Sequence, residues 1–171
     1  MKQSKKMALG GIFAALAVVI MSMGGLIPVA TFVCPMFCMV LLHVVNQFCG
    51  SRTGWAWYGA VALLSVLLGP DKEAAAVFVF LGYYPILKTR LDRTKFAILW
   101  KLVLFNLSIL AMYFALIHLF GMDQIAAEYK ELGIILSAVM MILGNVTFVL
   151  LDIVLGRLKL NRKQGRKRFS P

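Results

Sequence analysis

The 171-residue chain is 61% hydrophobic and only 15% charged, against roughly 45 to 50% and about 25% in an ordinary soluble domain, which excludes a typical water-soluble globule. Eighteen Lys and Arg against seven Asp and Glu give a net charge of +11. In a less apolar chain that charge would suggest nucleic acid as a partner, and here the apolar excess excludes it. At ~20 residues for each crossing of about 30 Å of hydrocarbon, the length accommodates six helices with short connections. The expected fold is all-α: a polytopic integral membrane protein, a compact six-helix transmembrane bundle forming a single domain over 1–171.

The chain begins with Lys2, Lys5 and Lys6 and then runs apolar from Met7 to Val33, in the manner of a secretory signal. The run is longer than a usual signal core. Thr31, Phe32 and Val33 before Cys34 are not the small residues a cleavage or lipid-attachment site requires. A retained first helix is expected, after a short tail over 1–7. Breakers and charges then delimit segments Ala8 to Leu26, Val29 to Phe48, Trp55 to Leu68, Ala74 to Leu87, Phe96 to Phe120 and Leu132 to Leu155. The third and fourth are short, so a re-entrant hairpin there stays an open alternative.

Lys and Arg accumulate in connections that stay in the cytoplasm. Of the 18, 15 fall in the N-terminal tail, at Arg52, in Lys88 to Lys95 and in Arg157 to Arg168. Asp71, Glu73, Asp123, Glu128 and Glu131 fall on the other side. Both termini are expected in the cytoplasm, with a basic C-terminal tail over 157–171. Its cluster Lys159 to Arg168 directly follows a span, where anionic lipid is the expected partner. Trp55, Trp57, Tyr58, Tyr83, Tyr84 and Trp100 lie near the cytoplasmic ends of their segments and are expected to form an interfacial belt.

Ionisable groups within hydrocarbon are costly, so they usually face protein. Lys101 and Asp152 each lie about 8 to 9 Å from the inner boundary at ~1.5 Å per residue, and are expected to pair. His43, Asn46 and Tyr84 extend them into a buried polar layer that bridges helices. Asn106 and Asn145 fall deeper and at similar depth, where two amides can meet across an interface. Outward of them, Tyr113, His118 and Glu73 are candidates to line an externally open pocket, so the candidate solute-binding set is Glu73, Asn106, Tyr113, His118 and Asn145. Asp71 is placed to cap the helix that Glu73 enters, with Glu73 complementing its dipole.

In the first helix, Gly10 with Ala14 and Gly11 with Ala15 stand four apart and permit close approach of another backbone, either within the bundle or from a partner. Cys34, Cys38 and Cys49 describe no disulfide framework and, with no His or carboxylate nearby in sequence, no metal site; packing is the expected role. The chain has no phosphate-cradling Gly-rich loop, no metalloprotease His pair and no serine-hydrolase elbow, so neither an ATP motor nor an enzyme is expected, and no cofactor.

Length, six short helices, cytoplasmic termini and the small-residue motif together resemble the S component of energy-coupling factor (ECF) vitamin transporters, along the whole chain. That family carries Ala-x-x-x-Ala in its first helix; this chain has Gly10-x-x-x-Ala14 and Gly11-x-x-x-Ala15. Pro70-Asp71-Lys72-Glu73-Ala74, Gly82-Tyr83-Tyr84-Pro85-Ile86-Leu87-Lys88, and Lys101 with Phe105-Asn106 are similar to uncharacterised membrane proteins of Gram-positive bacteria associated with that superfamily. The resemblance implies a subunit that binds a small solute, a vitamin or related micronutrient, from outside. It further implies docking through Gly10, Gly11, Ala14 and Ala15 on a transmembrane coupling subunit, with two ATPase subunits supplying energy. The competing expectation is a non-transport scaffold resembling the cell-shape membrane protein MreD, which organises cell-envelope partners.

Overall fold

In the computed structural model, residues 3–24, 30–118, 136 and 138–158 are described, and they form helices and turns with no strand among them. The chain divides into two compact units, Met1–Met122 and Asp123–Pro171. The first contains α1 (Gln3–Ser22), α2 (Ala30–Cys49), α3 (Ser51–Leu68), α4 (Lys72–Leu81), α5 (Tyr84–Leu91) and α6 (Ala97–His118). The second contains α7 (Ala138–Leu158). Four stretches are long and apolar enough to cross a membrane: α2, the joined Lys72–Leu91, α6 and α7. Their 20 to 22 residues match the ~20 that a bilayer core requires. By length and composition they suit a multi-pass membrane protein.

The helix bounds depart from the expected ones where local chemistry dictates. α1 starts at Gln3 rather than Ala8, because the residues between are good helix formers with no breaker among them. α3 starts at Ser51 rather than Trp55 because the whole link from α2 is Gly50, at φ 95° and ψ 166°, a conformation open to little but glycine. The segment expected as one helix from Ala74 to Leu87 is two, α4 and α5, joined by Gly82 and Tyr83. Pro85 lacks the N–H that would bond the Leu81 carbonyl, so the ladder is interrupted there and restarts with proline in the first turn of α5. The expected ends at Leu26, Phe120 and Leu132 lie outside the described residues, as do Asp123, Glu128, Glu131 and the tail cluster Lys159 to Arg168.

Contacts between helices fix an alternating up-and-down order in the first unit. Near one end of the unit, Cys49 Sγ donates to the Lys6 carbonyl at 3.5 Å and the Trp57 indole donates to the Gly10 carbonyl at 3.1 Å. Midway, Cys38 Sγ donates to the Ala17 carbonyl at 3.6 Å. At the opposite end the Thr31 hydroxyl donates to Asp71 at 2.7 Å. α1, α2 and α3 therefore run alternately between a Gly50 end and an Asp71 end, and α4 with α5 returns to the Gly50 end. α6 packs on α4 and α5 in the opposite sense, since Tyr83 meets Ser108 and Asp92 meets Lys101. The core is lined by Ala17, Met21, Cys38, Leu42, Val45, Val61, Phe78, Met112 and Leu116, all nearly inaccessible.

In α7 the least exposed side chains are Phe148, Leu151 and Leu155, three and four residues apart and hence on one face. Its other apolar residues, Met140, Ile142, Val146 and Leu150 among them, are exposed.

Candidate functional site

At the Asp71 end, a Gly-Pro-Asp-Lys-Glu turn brings four helix termini together. Asp71 caps α4 as expected, accepting from the Ala74 N–H at 3.0 Å, while its second carboxylate oxygen accepts from Thr31 at the start of α2. Gly24, just past α1, lies against the same side chain. Lys72 turns the other way, its ammonium donating to the Val66 and Gly69 carbonyls at 2.8 and 3.1 Å and closing the C-terminus of α3. Neither lysine capping nor the Thr31 bond is visible in sequence, because both depend on which termini meet. Glu73 follows in the first turn of α4 and is half-buried.

Hydroxyl groups gather around the break between α4 and α5. The Tyr58 hydroxyl donates to the Val79 carbonyl in the last turn of α4. The edge of the Tyr58 ring lies 3.0 Å from where a Cβ on Gly82 would stand, so a glycine is needed for this approach. Ser108 donates to the Leu104 carbonyl on its own helix at 2.8 Å; the Tyr83 hydroxyl therefore donates to Ser108, at 2.7 Å. With ten residues of α4 on one side and eight of α5 on the other, the break falls near the middle of a ~30 Å crossing.

The Gly50 end contains most of the expected polar layer. His43 is buried and accepts from the Gln47 amide at 2.5 Å through Nε2, which puts the imidazole proton on Nδ1. Asn46 packs over Gly54, its Oδ1 3.1 Å from the position of an added Cβ. Tyr84 is buried. Lys101, 7% exposed, pairs with Asp92 at 2.5 Å, and Lys88, 5% exposed, reaches the same carboxylate oxygen at 3.8 Å. Sequence reasoning missed Asp92. It reads as a loop residue, and only the turn between α5 and α6 folds it back over Lys101. Asp152, the partner expected from depth, belongs to the second unit.

The interfacial belt divides. Trp55 and Trp100 are exposed, as such a belt requires, whereas Trp57 and Tyr84 are core side chains at 5% and 1% exposure. Trp57 is drawn inward by the Gly10 carbonyl, which satisfies the indole N–H. Tyr58 and Tyr83 belong to the break in α4 and α5.

Of the expected pocket residues, Asn106 and Tyr113 lie seven apart and so share one face of α6. His118 is on a different face, exposed, with its ring 4.4 Å from Phe114. Asn106 and Asn145 each donate an amide hydrogen back to their own helix, to Leu102 and Met141, both at 2.8 Å. Asn145 is in the second unit. Among the described residues no three His, Cys, Asp or Glu side chains cluster to hold a metal ion.

The small residues of α1 also separate. Gly10, Ala14 and Ala17 turn toward α2 and α3, where Gly10 and Ala17 supply carbonyls to Trp57 and Cys38. Gly11 and Ala15 are exposed among Met7, Ile12, Leu16 and Val19. A Cβ added to Gly10 or Gly11 would meet nothing within 4 Å. Gly10 is nevertheless buried, with Trp57 against its carbonyl, so only Gly11 and Ala15 face outward from the described helices.

No family model matches this chain. No curated protein and no solved structure matches it either.

Proposed function

We propose that the chain is the substrate-binding membrane subunit of an ECF-type importer for a small solute such as a vitamin or related micronutrient. It crosses the bacterial cell membrane six times, with both termini in the cytoplasm. The observation that carries this reading is the exposed strip made by Gly11 and Ala15 on α1, where a Cβ added to Gly11 would meet nothing within 4 Å. Small residues with nothing against them are what a second helix backbone needs for close packing in lipid. The partner is a transmembrane coupling subunit, with two ATPase subunits behind it. Solute enters at the Asp71 end, where Glu73 stands on α4 and Tyr113 on the adjacent α6, with Asn106 deeper on the same face of α6.

Charge supports the orientation. Lys6, Arg52, Lys88, Arg90, Arg93 and Lys95 gather at the Gly50 end, and Asp71 and Glu73 at the other, so the Gly50 end faces the cytoplasm.

The MreD-like scaffold is favoured by one observation: Asp71, Lys72 and Thr31 at the Asp71 end are engaged in capping helices rather than turned toward a ligand. Purification of Gly11→Leu/Ala15→Leu beside the native chain separates the two readings. In a subunit docked through α1, the variant keeps its thermal stability but no longer co-purifies with a coupling subunit and ATPases. A native chain that never carries such a module, and that releases no small molecule in native mass spectrometry, contradicts the transport reading.

A further inference from the structure

The turn between α5 and α6 carries an unbalanced group of cations. Asp92 is the one carboxylate between Glu73 and Asp123 in the sequence, and it is engaged by the buried ammonium groups of Lys88 and Lys101. Arg90, Arg93 and Lys95 are exposed and form no ion pair with any described residue. Backbone bonds from Arg93 to Arg90 and from Thr94 to Leu91, with the Thr94 hydroxyl also on Leu91, hold them on successive tight turns.

An apolar stripe starts immediately beyond these cations. Phe96, Trp100, Val103, Leu107, Leu110 and Phe114 recur alternately four and three residues apart, which places them on one side of α6, and all are 50 to 69% exposed. At ~1.5 Å per residue the stripe is about 27 Å long. A cationic head at one end of a long apolar stripe complements an amphiphile with an anionic head and long chains. An acidic soluble peptide would satisfy only the head.

We propose that the α5–α6 turn is a binding site for an anionic phospholipid, its phosphate held by Arg90, Arg93 and Lys95 and its acyl chain lying along the exposed stripe of α6. Trp100, one turn beyond Phe96, sits at the level where head and chain meet. Lys88 and Lys101 take no part, because Asp92 holds them. The site is separate from the basic C-terminal tail and does not depend on the solute-binding reading.

Native mass spectrometry of the purified full-length chain in detergent tests this with phosphatidylglycerol, phosphatidylcholine of the same chains, and glycerol 3-phosphate as probes. Phosphatidylglycerol is retained, phosphatidylcholine much less, and glycerol 3-phosphate not at all, because the chain contact is lost. At about a fivefold effect for each cation near a membrane surface, Arg90→Gln/Arg93→Gln/Lys95→Gln lowers phosphatidylglycerol affinity roughly 100-fold. The tail variant Arg166→Gln/Lys167→Gln/Arg168→Gln leaves it within about twofold. Equal retention of the two phospholipids by the native chain overturns the proposal, whether or not the triple variant folds. So does binding of glycerol 3-phosphate as tight as that of the lipid, loss of affinity in the tail variant alone, or a folded turn variant that binds as the native chain does.

Discussion

Asp92 is the residue on which the Gly50 end depends most. Its side chain is 34% exposed, yet it balances two ammonium groups that are nearly inaccessible. Removing one partner of a buried pair strands the other, at about 3 to 5 kcal/mol when both are fully buried. Partial exposure of Asp92 reduces this, so Asp92→Asn is expected to cost on the order of 2 kcal/mol in thermal unfolding. The double variant Lys101→Met/Asp92→Asn should recover part of that loss, since one stranded cation is gone. A fully additive double variant contradicts the pairing.

The polar layer shows how far single residues are legible before folding. His43, Tyr84 and Lys101 stand out as polar groups in apolar segments, and all three are buried. Their partners are less legible. Depth alone ranks Asp152 with Lys101, whereas proximity across a short turn adds Asp92. Trp57 illustrates the opposite limit: beside Trp55 it has the sequence context of an interfacial residue. Only the approach of α1, which brings the Gly10 carbonyl to the indole, makes it a core residue.

Among the elements, the two junctions with glycine govern the shape of the first unit. Gly50 alone connects α2 to α3 in a backbone conformation that a Cβ opposes, so Gly50→Ala is expected to destabilise by about 1 to 3 kcal/mol in detergent unfolding. An unchanged unfolding midpoint contradicts the strain. Between α4 and α5, Tyr83→Phe removes a hydroxyl bond to Ser108. Bonds of this kind in membrane proteins contribute about 0.6 kcal/mol on average, so a small loss is expected. A loss above ~2 kcal/mol shows that the hydroxyl holds the break together cooperatively.

The order of segments and the cap at Asp71 are legible in sequence because they rest on local signals: apolar runs, Pro70, and an acceptor preceding α4. Pro85 is visible too, but its effect is not. The apolar run continues through it, so Ala74 to Leu87 reads as one helix until the loss of a donor to Leu81 is counted. Lys72 as the cap of α3 is illegible for a different reason, since a lysine beside Asp71 has no local feature that aims it backward at Val66 and Gly69. The candidate solute residues stay dispersed in the same way: Asn106 and Tyr113 share a face of α6, while His118 turns to the exposed side with Phe114.

For the whole molecule, alternation of helices and segregation of charge point the same way. In the first unit, most described cations collect at the Gly50 end while Asp71 and Glu73 lie at the other, and the exposed surface between them is apolar, with Leu63, Leu67, Ile98 and Leu107 above 60% exposure. A belt of that extent and composition suits lipid better than water.

The most direct measurement is cysteine labelling in intact cells with a membrane-impermeant reagent, on a chain whose native cysteines are replaced. Pro70→Cys and Thr94→Cys place the probe at exposed positions of the two ends. The bundle and its orientation predict labelling at 70 from outside and labelling at 94 only after the membrane is opened. Labelling at 94 in intact cells, or equal labelling at both, contradicts a membrane-crossing bundle with its basic end in the cytoplasm.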